Sequence, residues 1–518
     1  MKNNAAKKAK GGILSIVFSR TALVLLLILL QICVLLYVTT TLNEHAVYYY
    51  GAMAVMQAVV IIYIVNEKGN PEFMCTWIIL ILVAPVFGCL FYIYAKLELG
   101  TKYIQERLES LDSETKVFLK QKKEIIDDIR FRKPANANLS CYLNRMHFPA
   151  YRNTKIDYYE SGEVYFPVML KELEKAEKYI FMEYFIIDDG YMWQSILDIL
   201  KRKAAAGVEV RLMYDGMNSI SRLPHDYPKV LQKYGIKCKL FSPILPVLST
   251  THNNRDHRKI CVIDGKTGFT GGLNLADEYI NEIERFGYWK DTAIRMKGDA
   301  VQSLTMLFLQ MWNVSEQKKE EYEKYLTKMS SDLRDDLGFC IPYGDSPFDR
   351  EDVGKEVYFH ILNHAKKYVY IMTPYLILDR EMVAALTRAA KSGIDVRLVL
   401  PFIPDKWSAF SVAKTYYKEL ISSGVKIYEY LPGFVHAKVF LSDSDTATVG
   451  TINMDYRSLF LHFENAVFIY NNPVIYEIEQ DFDKTFKKCA RITVADLKKI
   501  NPFLLLTGKV LRLIAPLM

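Results

Sequence analysis

HRKICVIDGKTGFTGGLN, residues 257–274, and HAKVFLSDSDTATVGTIN, residues 436–453, are two copies of one pattern, H-x-K-x4-D-x6-G-x2-N. In the first copy the pattern residues are His257, Lys259, Asp264, Gly271 and Asn274; in the second they are His436, Lys438, Asp443, Gly450 and Asn453. A single H-x-K is an exposed basic pair in most proteins. Two copies, each with three further matching positions, are not explained that way.

The similarity extends outward from the motifs. KYIFMEYFIIDD (178–189) matches KYVYIMTPYLILDR (367–380), KAAAGVEVRLMY (203–214) matches RAAKSGIDVRLVL (388–400), and YGIKCKLF (234–241) matches SGVKIYEY (423–430). The repeat is about 180–190 residues long, far beyond a solenoid unit. Short apolar runs such as Tyr179–Ile187, Val208–Tyr214, Lys259–Ile263, Tyr368–Thr373, Val396–Leu400 and Lys438–Leu441 alternate with helical stretches such as 191–206 and 380–392. That alternation predicts βαβ units. The expected fold is therefore α/β, with two homologous domains over 150–340 and 341–500 sharing one site at their interface.

His and Lys two apart on a strand point to the same face. Each half then directs one imidazole and one ammonium into the shared site. Two imidazoles, two ammoniums and amide donors suit a phosphate diester. The cations neutralise phosphoryl oxygens, one imidazole attacks phosphorus, and the other protonates the leaving alkoxide.

The N-terminal part has a different character. Residues 21–43, 46–65 and 73–95 carry no Asp, Glu, Lys or Arg, and about 20 apolar residues span a bilayer core. Residues 1–97 are expected to form a membrane anchor of three transmembrane helices, at about 17–39, 46–65 and 73–95, with Pro85 and Gly88 able to kink the third. No ionisable residue lies inside these runs, so they lack the marks of a solute pathway. Lys2, Lys7, Lys8, Lys10 and Arg20 precede the first run, which favours a cytoplasmic N-terminus and an external C-terminal part. The five cysteines beyond residue 97, an odd number with no C-x-x-C, pull against an oxidising exterior. Residues 98–149 read as a charged helical connector whose helix ends near Pro134, and 501–518 as an apolar segment with Lys509 and Arg512. That last segment fits an amphipathic helix on a membrane surface or a docked core helix equally well.

Composition narrows the chemistry. The 66 Lys and Arg against 59 Asp and Glu leave a net charge of +7 over 518 residues, a weak balance for a nuclease. No P-loop occurs. His360 and His364 stand four apart on an expected helix, but without a third ligand nearby they read as a solvated face. Glu183, on an apolar strand, suits the site or a structural hydrogen bond.

The paired motifs resemble those of the phospholipase D superfamily, and the chain from about 45 to 518 is similar to the bacterial cardiolipin synthases within it. The similarity includes FTGGLNLADEY (269–279), FGYWKD (286–291), TPYLILD (373–379) and GTINMDYRSLFLHFEN (450–465). The additional first membrane run departs from the family, and Gly272 stands where the second half has Thr451. The resemblance implies two phospholipase D-like domains and a covalent phosphohistidine. His257 is the expected nucleophile and His436 the acid, then base. The implied catalytic set is His257, Lys259, Asp264, His436, Lys438 and Asp443, although anchoring of the strand-to-turn geometry is the somewhat better reading for the two aspartates. Asn274 and Asn453 are expected at the phosphate. Asp291 and Glu464 are expected to serve the site as acidic partners of the histidines.

The implied reaction makes cardiolipin and glycerol from two phosphatidylglycerols, on a multi-pass protein of the bacterial cell membrane. No metal or cofactor is expected, because lysine ammoniums supply the positive charge, and no nucleic acid is expected, because the basic balance is weak. A phospholipid hydrolase and a non-catalytic membrane scaffold are the alternatives; a scaffold would not need both His–Lys pairs.

Overall fold

The computed structural model describes residues 46–96, 101–217, 222–224, 226–241, 254–316, 318, 320–327 and 337–517, with five helical positions between 29 and 40. The chain forms two compact units. One holds the N-terminal helices up to Tyr103; the other comprises Ile104–Pro243 and Asn254–Ala515.

In the N-terminal unit the expected run 17–39 lies outside the described residues apart from four helical positions. The second run is a helix, Ala46–Asn66, of 21 residues, about 30 Å at 1.5 Å per residue. Among the described residues it is the one helix long and apolar enough to cross a membrane. The third run, expected as one helix, is two: Pro71–Val83 and Pro85–Lys96. Ala84 leaves helical geometry at φ −134° and ψ 79°, and Pro85 has no N–H to continue the ladder. Gly88 then packs so closely on Ile81 that a Cβ there would stand 2.7 Å from the Ile81 Cα. Ile64, Ile81, Cys89 and Tyr92 form the small core of this unit.

The larger unit repeats one topology twice. The first half contributes β1 (Thr154–Tyr159), β2 (Tyr179–Tyr184), β3 (Glu209–Asp215), β4 (Lys237–Phe241), β5 (Lys259–Ile263), β6 (Thr267–Gly271), β7 (Tyr288–Lys290) and β8 (Ala293–Gly298). The second contributes β9 (Phe339–Asp345), β10 (Tyr368–Met372), β11 (Asp395–Pro401), β12 (Lys426–Tyr430), β13 (Gly433–Val435), β14 (Val439–Ser442), β15 (Thr446–Gly450), β16 (Glu464–Tyr470) and β17 (Cys489–Ile492). The two sheets run β1-β8-β6-β5-β2-β3-β4 and β9-β16-β15-β14-β10-β11-β12-β17. In each, three parallel strands joined by helices are extended by antiparallel hairpins. The motif strands β5 and β14 hold equivalent central places, and β17 is an addition at one edge.

Helix 301–313, VQSLTMLFLQMWN, is buried on nearly every face. It belongs to one core with Ile260 and Val262 of β5, Val439 and Leu441 of β14, and Val467 of β16. An all-round apolar helix has to be enclosed, and here both sheets contribute to enclosing it. Full burial of each Leu or Phe is worth about 1.5–3 kcal/mol. β7 also pairs in parallel with β13, tying the halves directly.

The connector is helical and a helix does end just before Pro134, but the connector is several helices, among them 101–115 and 123–132, and it continues past the proline. Helix 123–132 is followed at once by helix 134–145, with Pro134 in its first turn, where proline's missing N–H costs nothing. At the other end, helix 502–512 docks on helix 407–422. Gly508 lies against the Ser411 carbonyl where a Cβ would come within 2.1 Å, and Arg512 stacks 4.1 Å over the Tyr416 ring. Phe503, Leu506 and Val510 stay exposed, so this helix is docked and apolar on its outer face at once.

Candidate active site

Each motif histidine precedes its central strand and is fixed by the other half. His257 donates its backbone N–H to the Phe463 carbonyl at 2.9 Å, and His436 donates its own to the Lys290 carbonyl at 2.7 Å. The side chains cross over in the same way. His257 Nδ1 lies 2.9 Å from both carboxylate oxygens of Glu464, and His436 Nδ1 lies 2.6 Å from Asp291 Oδ2. Every imidazole is thus oriented by a carboxylate from the opposite half, and each keeps Nε2 for chemistry. Lys290 helps to hold this seam through a buried ion pair with Asp481 at 2.7 Å.

The two lysines follow the histidines. Lys259 Nζ donates to the His257 carbonyl at 2.6 Å. Lys438 Nζ donates to the His436 carbonyl and lies 2.9 Å from His436 Nδ1. Both ammoniums are almost wholly buried. Burial pulls the Lys259 ammonium down to about 7, against the opposing charge of Glu464. Burial likewise lowers Lys438 to about 8, with Asp291 opposing. The charge of Lys438 also lowers Lys259, an environment that favours an anion.

The histidines are not equivalent. Burial, with the charges of Lys259, His462 and Lys438, holds His257 well below its ordinary value. Burial and Lys438 lower His436 to about 4, while Asp291 works to raise it. The carboxyls differ as well. Burial raises Glu464 to about 8, with Lys259 opposing. At Asp291 the charges of His436 and Lys438 outweigh burial and hold the carboxyl below its ordinary value. His257 therefore sits as a neutral imidazole, and His436 beside an ionised carboxylate. The ring surroundings match: Tyr279 and Trp289 pack 5.4 Å from His436, Phe185 5.0 Å from His257.

Two expected catalytic residues lie elsewhere. Asp264 and Asp443 occupy the hairpin turns at the far ends of β5 and β14, with φ 54° and 56°, a region Asp tolerates. Asp264 accepts from the backbone N–H groups of Glu177, Lys178 and Tyr179 at 2.8–2.9 Å. Asp443 accepts from Lys366, Lys367 and Tyr368 at 2.7–3.1 Å. They pin the start of β2 and β10 rather than face the histidines, as four residues of strand separate each from its motif lysine.

Asn274 accepts from Ile186 N–H at 2.9 Å and donates to the Tyr279 hydroxyl at 2.6 Å, both within the protein. Asn453 donates to Ser458 at 3.0 Å, and its Oδ1 is buried without a hydrogen-bond partner. Glu183 is not in the site; it forms a buried ion pair with Arg258 at 2.5 Å. His360 Nε2 pairs with Asn136 at 2.9 Å and His364 with the His360 carbonyl.

Several site residues were not anticipated. Thr451 donates its hydroxyl to Glu464. Asn465 donates to Thr270 across the halves at 2.8 Å. His462 lies with its ring 5.7 Å from that of His257. Among the described residues His257, His462 and Glu464 are the group whose donor atoms all lie within 4.8 Å and so could meet on a metal ion; His257 and Glu464 already spend theirs on each other. None of these residues has a matching counterpart in both halves, which is the only signal the repeat offers.

The model of the family described as cardiolipin synthase, PLD-like domain, matches residues 169–312 and 358–486. A protein of Streptococcus mutans described only as uncharacterized is 49% identical over 88% of this chain and 99% of its own. Cardiolipin synthase 2 of Bacillus anthracis is 34% identical over 87% of this chain and 88% of its own. A cardiolipin synthase of Geobacillus sp. is 34% identical over 87% and 90%. The crystal structure of phosphatidylserine synthase from Haemophilus influenzae superposes with a TM-score of 0.56 at 14% identity, covering 74% of this chain and 100% of that one; that likeness concerns the fold.

Proposed function

The chain belongs to the cardiolipin synthases built on the PLD-like domain, and from that membership we propose its reaction: transfer of a phosphatidyl group from one phosphatidylglycerol to another, giving cardiolipin and glycerol. The observation that carries the mechanism is the crossed pairing of His257 with Glu464 and His436 with Asp291. It supports two imidazoles with free Nε2 atoms facing one phosphate.

His257, the neutral imidazole, attacks phosphorus through Nε2. The phosphorus–oxygen bond to the headgroup glycerol breaks, and His436, neutral in the free enzyme but protonated from solvent beside Asp291 once the anionic phosphate is bound, gives that oxygen its proton. The phosphatidyl group is then held on His257. His436, now neutral, takes the proton from the primary hydroxyl of a second phosphatidylglycerol as its oxygen attacks phosphorus. Cardiolipin leaves, and His257 is regenerated. Lys259 and Lys438 neutralise the non-bridging oxygens, whose charge grows in the transition state. The single lysine and histidine of each half do this together, so neither half is sufficient.

Donor and product are both diesters of primary alcohols, so the transfer runs in both directions. A lipid acceptor is favoured over water when the enzyme sits at the bilayer and the hydroxyl is concentrated there. The apolar helix Val47–Asn66 supports such a placement, as does the exposed apolar face of helix 502–512. We read residues 1–97 as a multi-pass anchor in the bacterial cell membrane, 98–149 as connector, 150–340 and 341–500 as the two catalytic halves, and phosphatidylglycerol and cardiolipin as the lipids handled, with no nucleic acid.

The test is purified full-length enzyme in phosphatidylglycerol vesicles, with products read by mass spectrometry. Cardiolipin and glycerol are expected, and labelled glycerol with cardiolipin vesicles should return labelled phosphatidylglycerol. Phosphatidic acid dominating at every glycerol concentration would make the protein a hydrolase.

A further inference from the structure

Residues 255–257 and 462–464 run side by side in parallel. Asp256 bridges Phe463, and the Phe463 N–H donates to the Arg255 carbonyl at 2.8 Å. Alternate residues of an extended segment share a face. The register that lays His257 against Glu464 therefore lays Arg255 beside His462, one step outward. A second backbone bond, from His462 N–H to the Arg457 carbonyl at 2.8 Å, brings Arg457 to the same place.

His462 has no task in the reaction described above. Its side chain is 10% exposed, and neither ring nitrogen has a hydrogen-bond partner. The nearest carboxylate oxygen, Glu464 Oε1, is 3.9 Å from Nδ1 and belongs to the His257 pair. Buried polar groups are nearly always satisfied, so an imidazole left this way calls for a ligand. The charges around it are cationic: Arg457, Lys259, Arg255 and Lys406 all act on it. Carboxylates temper them: Asp345, Glu351 and Asp352, with Arg350, line one cavity together with His462. Asp215 faces Arg255 at 3.4 Å, and Asp455 lies near Lys406 and Arg457. Arg255 and Arg457 are close enough that the charge of the first depresses the basicity of the second.

Lys259 and Lys438 answer the donor phosphate. The acceptor in the proposed reaction is also a phosphodiester, and its attacking hydroxyl stands at the far end of a glycerol from its own phosphorus. An acceptor whose hydroxyl meets the phosphohistidine must place that second anion a glycerol's length away. We propose that Arg255, Arg457 and His462 form a second phosphate subsite that holds the acceptor lipid's phosphodiester. This rests on the transfer reaction proposed above. Guanidinium forks bind phosphate oxygens in pairs, and the two unpartnered nitrogens of His462 provide a further contact.

The experiment uses the full chain in phosphatidylglycerol vesicles with labelled glycerol, where two acceptors compete. Lipid acceptor gives cardiolipin; glycerol, which has no phosphate, gives labelled phosphatidylglycerol. The readout is the ratio of the two products, which does not depend on how much enzyme is folded. Arg457→Gln and His462→Asn should each lower that ratio about 10- to 100-fold, and Arg457→Lys should recover much of it. An unchanged ratio in both variants overturns the proposal. The site is assigned to lipid, so inorganic phosphate should leave the wild-type ratio in place; a fall as large as that of the variants would overturn the assignment. Wild-type enzyme that forms neither product, only phosphatidic acid, would instead refute the transfer reaction itself.

Discussion

Gly272 stands directly beneath the carboxylate of Asp291: a Cβ on Gly272 would come within 2.0 Å of Asp291 Oδ1. Its equivalent, Thr451, makes the same backbone bond, donating N–H to Asn465 at 2.9 Å as Gly272 does to Thr292. There the carboxylate is Glu464, one methylene longer, and the threonine hydroxyl bonds it. The glycine–aspartate and threonine–glutamate combinations are two solutions to the same problem, which is placing a carboxylate on the histidine of the opposite half. Gly272→Ala should push Asp291 off His436 and lower kcat about 10²-fold or more, the scale of a lost general acid. Steady-state transfer assays, with thermal unfolding to establish that the variant is folded, provide the check.

His257→Asn and His436→Asn should each remove nearly all transfer activity. Only the His436 variant retains the nucleophile and should accumulate phosphatidyl-enzyme from labelled phosphatidylglycerol after an acid quench. Label trapped on the His257 variant instead would reverse the two roles.

Asp264 and Asp443 should behave differently from Asp291 and Glu464. Asp264→Asn weakens charge-assisted bonds to three amides, so it should cost stability, about 1.5–3 kcal/mol, with kcat per folded molecule largely retained. Asp291→Asn should do the reverse. Chemical denaturation and active-site-normalised rates separate the two.

The pH profile follows from His436 and the two lysines. Their charged forms are needed, and they persist below about 7 for Lys259 and about 8 for Lys438. In the free enzyme kcat/KM should therefore fall as pH rises, first through about 4 as His436 loses the proton it must donate, and again through that window. His257 must be neutral, and since its value is lowered, the acid limb should lie well below the ordinary imidazole range. Bound phosphate stabilises both ammoniums, so the alkaline limb of kcat should lie at higher pH than that of kcat/KM. Lys259→Arg, if active, should move the alkaline limb upward, since a guanidinium keeps its charge.

Activity should survive EDTA, because Lys259 and Lys438 already supply positive charge at the phosphate. Loss of activity in chelator, restored by one divalent ion but not by simple salt, would contradict this. The assay is transfer in vesicles at constant ionic strength.

The repeat made the catalytic pairs legible. His257 with Lys259 and His436 with Lys438 stand out because each appears twice in matching surroundings, and the two sheets share their strand order for the same reason. Asp264 and Asp443 stood out equally, since a residue that shapes a hairpin recurs as faithfully as one that does chemistry. The crossing of carboxylates between halves could not be read, because Asp291 and Glu464 each fit a partner in either half. Arg255 and His462 escaped for the opposite reason: each occurs once, and comparison of the halves registers only what both contain. In the N-terminal unit Pro85 indicated a kink, but the full break at Ala84 depends on Gly88 folding back on Ile81, a contact that composition does not encode.

The crossed pairing also bears on how the protein is made. Glu464 follows His257 by 207 residues, and domains of a growing chain tend to fold in order from the N-terminus. A half-synthesised chain has a histidine without its carboxylate and no second histidine at all. It is chemically inert towards surrounding phospholipid until the last strands of the second sheet are in place. A single proteolytic cut that let the halves part would return it to that state, so the bilayer is exposed to the reactive site only while the whole chain is intact.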